Sequence, residues 1–287
     1  MRIKTRFVMD ISKEQDVHQV YSLAKLPVPQ KRKTRLTVVE LFNDTIEYSC
    51  VRIFMAQHPQ YACFMTEDEV FSEEELLQAP LMRMVPNAHR GGYPQPEGGK
   101  RHENFLSKSY DLSSGCPYCT KGLLQNRPLR LRGSISLGKK NDISGIQWLR
   151  EYVITRRLKE LLEASDLTGF EVWPIISHGK NAPFDNYFQL KITGELPPMT
   201  PLTQIEYKPK RTSRFDAPCD CGMLRLQSRE TYYAKDIVDI PDFALTREWF
   251  GRNDEFWRWP YMSQKAYRLF KENKITGIRY YPPEIID

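Results

Sequence analysis

Short runs rich in β-branched and aromatic residues alternate with helix-period segments through the first part of the chain. Residues 2–11 (RIKTRFVMDI) and 35–42 (RLTVVELF) predict strands, and residues 45–56 (TIEYSCVRIFMA) continue that β character. Residues 13–26 and 72–85 carry apolar positions at helical spacing, and Ser72 followed by Glu75 predicts a capping box at the start of the second. The periodicity then stops, because VPNAHRGGYPQPEGGKRHE, residues 85–103, is dominated by Pro, Gly and polar residues. The pattern predicts an α+β chain with an N-terminal mixed domain over 1–86, a linker or long loop over 87–104, and a second domain over 105–287.

Beyond the linker the pattern is written twice. Placing Thr155 over Ser263 without gaps sets Leu161 on Leu269, Leu162 on Phe270, Leu167 on Ile275, Thr168 and Gly169 on Thr276 and Gly277, Phe170 on Ile278, Trp173 on Tyr281 and Pro174 on Pro282. Thr155 and Ser263 predict N-caps. Positions 158, 161 and 162, and 266, 267, 269 and 270, predict one buried stripe on each helix. Gly169 and Gly277 predict left-handed turns where the helices stop, and each is followed by a short strand that ends in proline. Two related helix–strand units are therefore expected, at about 112–178 and 215–287, by internal duplication. Convergence on common helix–glycine–strand turn chemistry is the alternative.

Composition changes this picture in two places. The 42 basic residues are interleaved with 36 acidic ones, so the net charge of +6 marks no general polyanion binder. Only residues 30–35, 126–133 and 207–214 are locally dense in cations, and solvated loops are their ordinary role. No apolar run reaches about 18 residues and no secretory leader is legible, so a cytoplasmic chain without a membrane partner is expected. In a reducing compartment the six cysteines are expected as thiols or metal ligands.

The cysteines supply the second change. Cys50 and Cys63 lie on apolar segments and are expected in the core. Each predicted unit is preceded by a pair: Cys116-Pro-Tyr-Cys119 and Cys219-Asp-Cys221, with separations to the turn glycine of 169 − 119 = 50 and 277 − 221 = 56 residues. A C-P-x-C turn aims two thiolates at one point, and a tetrahedral zinc needs four. Packing of the two units predicts one zinc-ribbon-like site of four cysteines, Cys116, Cys119, Cys219 and Cys221. That zinc would be structural, since four thiolates leave no open position for water. Free thiols or a redox pair are the alternatives, and an iron–sulfur cluster has the same ligand count.

These pairs, residues 242–251 (DFALTREWFG) and the ending SQKAYRLFKENKITGIRYYPPEI, residues 263–285, resemble the double-CxxCG motif family of bacterial proteins, over roughly 105–287. They are also broadly similar to immunity proteins of polymorphic-toxin loci. The chain departs from that pattern in the missing spacer of its second pair and in Thr120, which stands where a glycine would follow Cys119. The resemblance implies a cytoplasmic zinc-binding protein that binds and neutralises a cognate toxin.

No phosphate loop, dinucleotide fingerprint, nucleophile elbow or H-E-x-x-H is present, and the five histidines are scattered. One series, Asp185 with Glu206 and Lys208, matches a D…E-x-K nuclease pattern that would hold Mg²⁺, although prolines crowd the strand it needs. Trp257, Arg258 and Trp259 concentrate the residue types that anchor protein interfaces, with a core segment as the alternative. The expectation is binding to a protein partner without catalysis. Nucleic-acid binding through a zinc ribbon, or the nuclease, are the other readings.

Overall fold

The computed structural model describes residues 1–29, 35–89, 106–116, 120–132, 135–138, 140–146, 151–208, 221, 223–252 and 255–287. It divides into two compact units, Met1–Leu76 and Leu77–Asp287.

The first unit runs β1 (Arg2–Asp10), α1 (Glu14–Leu23), β2 (Leu36–Phe42), α2 (Ile46–Gln57) and β3 (Ala62–Val70). The central strand β1 pairs antiparallel with both neighbours, setting Phe7 opposite Val39 and Met65. Phe7, Met9 and Ile11 pack with Val17 and Val20 of α1 and Val51 and Phe54 of α2. Residues 46–57 are thus helical, against the β character of their side chains. The Thr45 hydroxyl caps the helix by accepting from Tyr48 N at 3.3 Å, and burying Val51 and Phe54 on one face outweighs local propensity. Cys50 is half-buried on α2 and Cys63 exposed on β3, so neither is the core residue expected. The predicted capping box does form, with Ser72 N donating to Glu75 Oε2 at 2.7 Å and Glu75 N to Ser72 Oγ at 3.2 Å.

That box opens α3 (Glu73–Gln78), which ends before Pro80, where a helix loses a donor and meets the ring. Residues 81–86 are then not helix but strand β4 (Leu81–Pro86). The second unit continues with β5 (Tyr110–Asp111), β6 (Leu124–Gln125), β7 (Arg130–Leu131), β8 (Ile143–Gly145), β9 (Tyr152–Thr155), α4 (Arg156–Glu163), β10 (Phe170–Ser177) and β11 (Pro183–Ile192). After these come β12 (Gly194–Glu195), β13 (Ile205–Lys208), β14 (Met223–Leu226), β15 (Thr231–Tyr233), β16 (Phe243–Leu245), β17 (Phe250–Arg252), β18 (Glu255–Trp257), β19 (Pro260–Ser263), α5 (Gln264–Glu272), β20 (Ile278–Tyr281) and β21 (Glu284–Ile286).

Two five-stranded sheets dominate this unit, ordered β7-β10-β11-β9-β8 and β12-β16-β19-β4-β20. In each, a third strand lies antiparallel between the strand that enters the helix and the strand that leaves it. In the first sheet that strand is β11, with Phe188 opposite Ile154 and Leu190 opposite Val172. In the second it is β4, with Met82 opposite Met262 and Met84 opposite Tyr280. The middle strand of the second sheet therefore comes from before the expected linker, and the unit begins at Leu77 instead of residue 105. The middle strand of the first sheet comes from after residue 178, beyond the expected end of the first helix–strand unit.

The turns interlock in the same reciprocal way. Thr168 N donates to Asp242 Oδ2 at 2.9 Å, and Thr276 N to Asp142 Oδ2 at 3.1 Å. Phe243 N donates to Thr168 O at 3.0 Å, and Asp142 N to Thr276 O at 2.9 Å. The same aspartates meet the predicted caps, with Ser263 N on Asp242 O at 2.8 Å and Thr155 N on Asp142 O at 2.9 Å. Gly169 and Gly277 have φ of 82° and 109°, and a Cβ there would stand 2.1 Å from Phe243 O and 2.0 Å from Ile143 O. Glycine is needed for both the left-handed backbone and the close approach.

Candidate functional site

Cys116 and Cys221 each fall between two antiparallel paired strands, β5–β6 and β13–β14. In the β5–β6 stem, Tyr110 faces Gln125; in the β13–β14 stem, Ile205 faces Leu226. Both are followed by a short parallel pairing, β7 on the end of β10 at the edge of the first sheet and β15 on β21 in a two-stranded sheet of their own. Cys116 lies in the first loop and Cys221 in the second, each half-buried and outside any disulfide. Cys119 and Cys219 lie outside the described residues.

The first loop is tightly built. Asp111 Oδ1 accepts from Ser113 N at 2.9 Å and Ser113 Oγ at 2.7 Å, and these bonds hold its carboxyl below the usual range, the hydroxyl bond contributing most. Ser114 Oγ donates to Asp111 O and accepts from Leu124 N, both at 2.7 Å. Cys116 N donates to Lys121 O at 2.8 Å and Thr120 N to Cys116 O at 2.9 Å, which ties Cys116 to Thr120 and Lys121. A Cβ on Gly115 would lie 2.4 Å from the Gly122 carbonyl carbon, so only glycine lets the two arms of the loop come this close.

Thr120 takes the left-handed conformation, φ 65°, that a glycine after the second cysteine would adopt. Its place is fixed from outside the loop: the buried hydroxyl donates to Phe256 O at 3.1 Å and accepts from Phe256 N at 3.3 Å. The departure from the C-x-x-C-G pattern is thereby compensated by β18. Lys121 Nζ donates to Cys221 O at 3.2 Å, so a side chain of the first loop reaches Cys221, 100 residues away in sequence. Sequence reasoning marked Thr120 only as a departure from the pattern and missed what it and Lys121 bind, because they act on residues 136 and 100 positions away.

The expected interface residues are largely internal. Trp257 is 9% exposed, and Trp259 stacks on Phe250 at 4.1 Å with the Arg83 guanidinium 4.4 Å from its ring. Arg258 pairs with Glu195 at 2.7 Å and donates to Leu245 O at 3.2 Å. Their aromatic area seals the domain because β17–β18 folds back over its core. Trp257 and Arg258 also border a cleft of about 460 Å³, shared with Gln125, Gln189, Lys191 and Thr120.

A polar cluster unannounced by any motif lies in the second sheet. Arg83 forms an ion pair with Glu230, which is 5% exposed, beside the buried Tyr232 and Tyr261. Burial, with Glu248 and Glu230 nearby, pushes the Tyr232 hydroxyl above its usual range, and burial does the same to Tyr261. The register places Gln189 and Val153 where the second sheet has Arg83 and Tyr261, so the cluster belongs to one half only.

Asp185 is exposed on β11, whereas Glu206 and Lys208 lie on β13 in a different sheet. The nuclease pattern needs its acids on neighbouring strands, and among the described residues no group of three or more His, Cys, Asp and Glu side chains converges. Among the described residues no helix is long and apolar enough to cross a membrane. No protein-family pattern matches the chain, and comparison with curated proteins found no match.

Proposed function

We propose that this chain is a non-catalytic zinc-binding interaction protein of the double-CxxCG kind, in which Cys116, Cys119, Cys219 and Cys221 hold one structural zinc. The observation that carries the reading is the hydrogen bond from Lys121 to the Cys221 carbonyl, which brings a described residue of each cysteine-bearing segment together between the pairings β5–β6 and β13–β14. The donor set suits zinc: thiolates from two tight loops favour a tetrahedral, closed site. The reciprocal middle strands and the equivalent Asp142 and Asp242 contacts support an origin by internal duplication, which accounts for two half-sites in one chain.

A closed thiolate site contributes to folding and performs no hydrolysis, so the function is binding. We read it as a cytoplasmic, immunity-type protein that neutralises a cognate bacterial toxin, with the cleft bordered by Trp257 and Arg258 as the surface for the toxin. Elemental analysis of the purified chain should return about one zinc per molecule, and Cys116→Ser and Cys221→Ser should each lose it. Metal-free protein of unchanged stability would sink the zinc assignment. Failure of the product of the adjacent reading frame to bind the chain would sink the immunity role alone.

A further inference from the structure

The outer edge of the first sheet gathers cations. Strand β7 is an edge strand, with Arg130 opposite Ile176 and Leu131 opposite Ser177 of β10. Leu131 is fully buried, so Arg130 and Arg132 project from the other face of the strand. The chain then turns at His178, whose N donates to Leu131 O at 2.9 Å, bringing the imidazole beside both arginines. Arg130 Nη1 donates to Asn181 Oδ1 at 2.7 Å, which ties the strand to the β10–β11 turn. Lys108 comes from the turn before β5, held there by Asn126 N and Arg127 N on Ser109 O at 3.1 and 3.2 Å.

The imidazole feels the cations around it. His178 is held below its usual pKa first by burial and then by the charges of Lys108, Arg130 and Arg132. Its Nδ1 is buried and has no hydrogen-bond partner. Among the described residues no carboxylate pairs with Lys108, Arg130, Arg132 or the neighbouring Lys180. Two guanidinium forks and an ammonium gathered in this way can share one anion.

We propose that Lys108, Arg130, Arg132 and His178 form a binding site for a phosphate group, free or within a phosphodiester chain. The site is separate from the cysteine loops and goes beyond the zinc and partner reading. Bound phosphate offsets the positive charges around His178, so it favours the protonated imidazole.

The test follows the His178 Cε1–H resonance of the full chain by NMR, assigned with His178→Gln, while inorganic phosphate is added in one arm and a short single-stranded oligonucleotide in the other. Sodium chloride at matched ionic strength is the control. The site predicts a saturable shift and a rise of His178 by about one pKa unit or more. In Arg130→Gln/Arg132→Gln the affinity falls by about tenfold or more. Saturation by phosphate identifies a free phosphate ligand. Saturation by the oligonucleotide alone identifies a phosphodiester backbone, with a log–log salt slope near about 0.7 per neutralised phosphate. The proposal is overturned if neither ligand moves His178 beyond the chloride control, or if the folded double variant binds as tightly as the parent. Should that variant fail to fold, the exposed Lys108→Gln must weaken binding, and unchanged affinity there also overturns it.

Discussion

Gly277→Ala tests the interlock of the second unit. The added methyl enters at φ 109° and 2.0 Å from Ile143 O, a backbone atom that cannot rotate away. The positive φ costs about 1–2 kcal/mol. Moving Ile143 also strains the bonds from Asp142 N and Ile143 N to Thr276 O, at 2.9 and 3.2 Å, and from Thr276 N to Asp142 Oδ2, at 3.1 Å. Losing two such bonds adds about 1 kcal/mol each. The expected destabilisation is about 3–4 kcal/mol. Gly138→Ala is the control, since its φ of 78° carries the backbone penalty but nothing lies within 4 Å of the new Cβ; it should cost about 1–2 kcal/mol. Urea unfolding followed by tryptophan fluorescence reports this unit alone, because all five tryptophans fall between residues 148 and 259. Equal losses for the two variants would show that the close approach to Ile143 carries no energy and that the reciprocal docking is misassigned.

Residues 77–287 should express as a folded unit, whereas 105–287, lacking the middle strand β4, should not; comparable amide-proton dispersion for both would refute the strand assignment. Thr120→Gly should keep the left-handed turn and lose about 1–2 kcal/mol with the Phe256 bonds, whereas Thr120→Val should cost more, because a β-branched residue without the hydroxyl keeps the strained φ and leaves Phe256 N and O unpaired; thermal melts that rank them oppositely would count against this role. Glu230→Ala should destabilise by about 3 kcal/mol by leaving Arg83 uncompensated, against under about 1 kcal/mol for the more exposed Arg157→Ala, and similar midpoints for the two in denaturant would contradict this.

The local signals are strong wherever the chain's own chemistry suffices. Thr155 and Ser263 accept from Leu158 N and Ala266 N at 3.4 and 3.1 Å, and Leu158, Leu162, Ala266 and Phe270 form the buried stripes that periodicity predicts. The left-handed turns at Gly169 and Gly277 are equally legible, because positive φ is a property of one residue. Partnership is what local pattern misses. Residues 46–57 read as strand until a sheet gives them a face to pack on, and Leu81–Pro86 reads as the continuation of a helix until pairing with β19 and β20 makes it a strand. Trp257, Arg258 and Trp259 read as anchors for another molecule, and the β17–β18 hairpin turns them largely inward.

By itself, then, the sequence determined the helix caps, the glycine turns, the repeated wording and the two cysteine pairs, since each depends on contacts within a few residues. The tertiary structure alone decided that β4 and β11, from outside the two expected helix–strand units, supply the middle strands of the sheets, that Asp142 and Asp242 receive the other unit's turn, and that Lys121 meets Cys221. The Thr168–Asp242 contact spans 74 residues of sequence and the Lys121–Cys221 contact spans 100. No local pattern encodes such pairings, because strand register is specified only once a face of the sheet is buried against the rest of the fold.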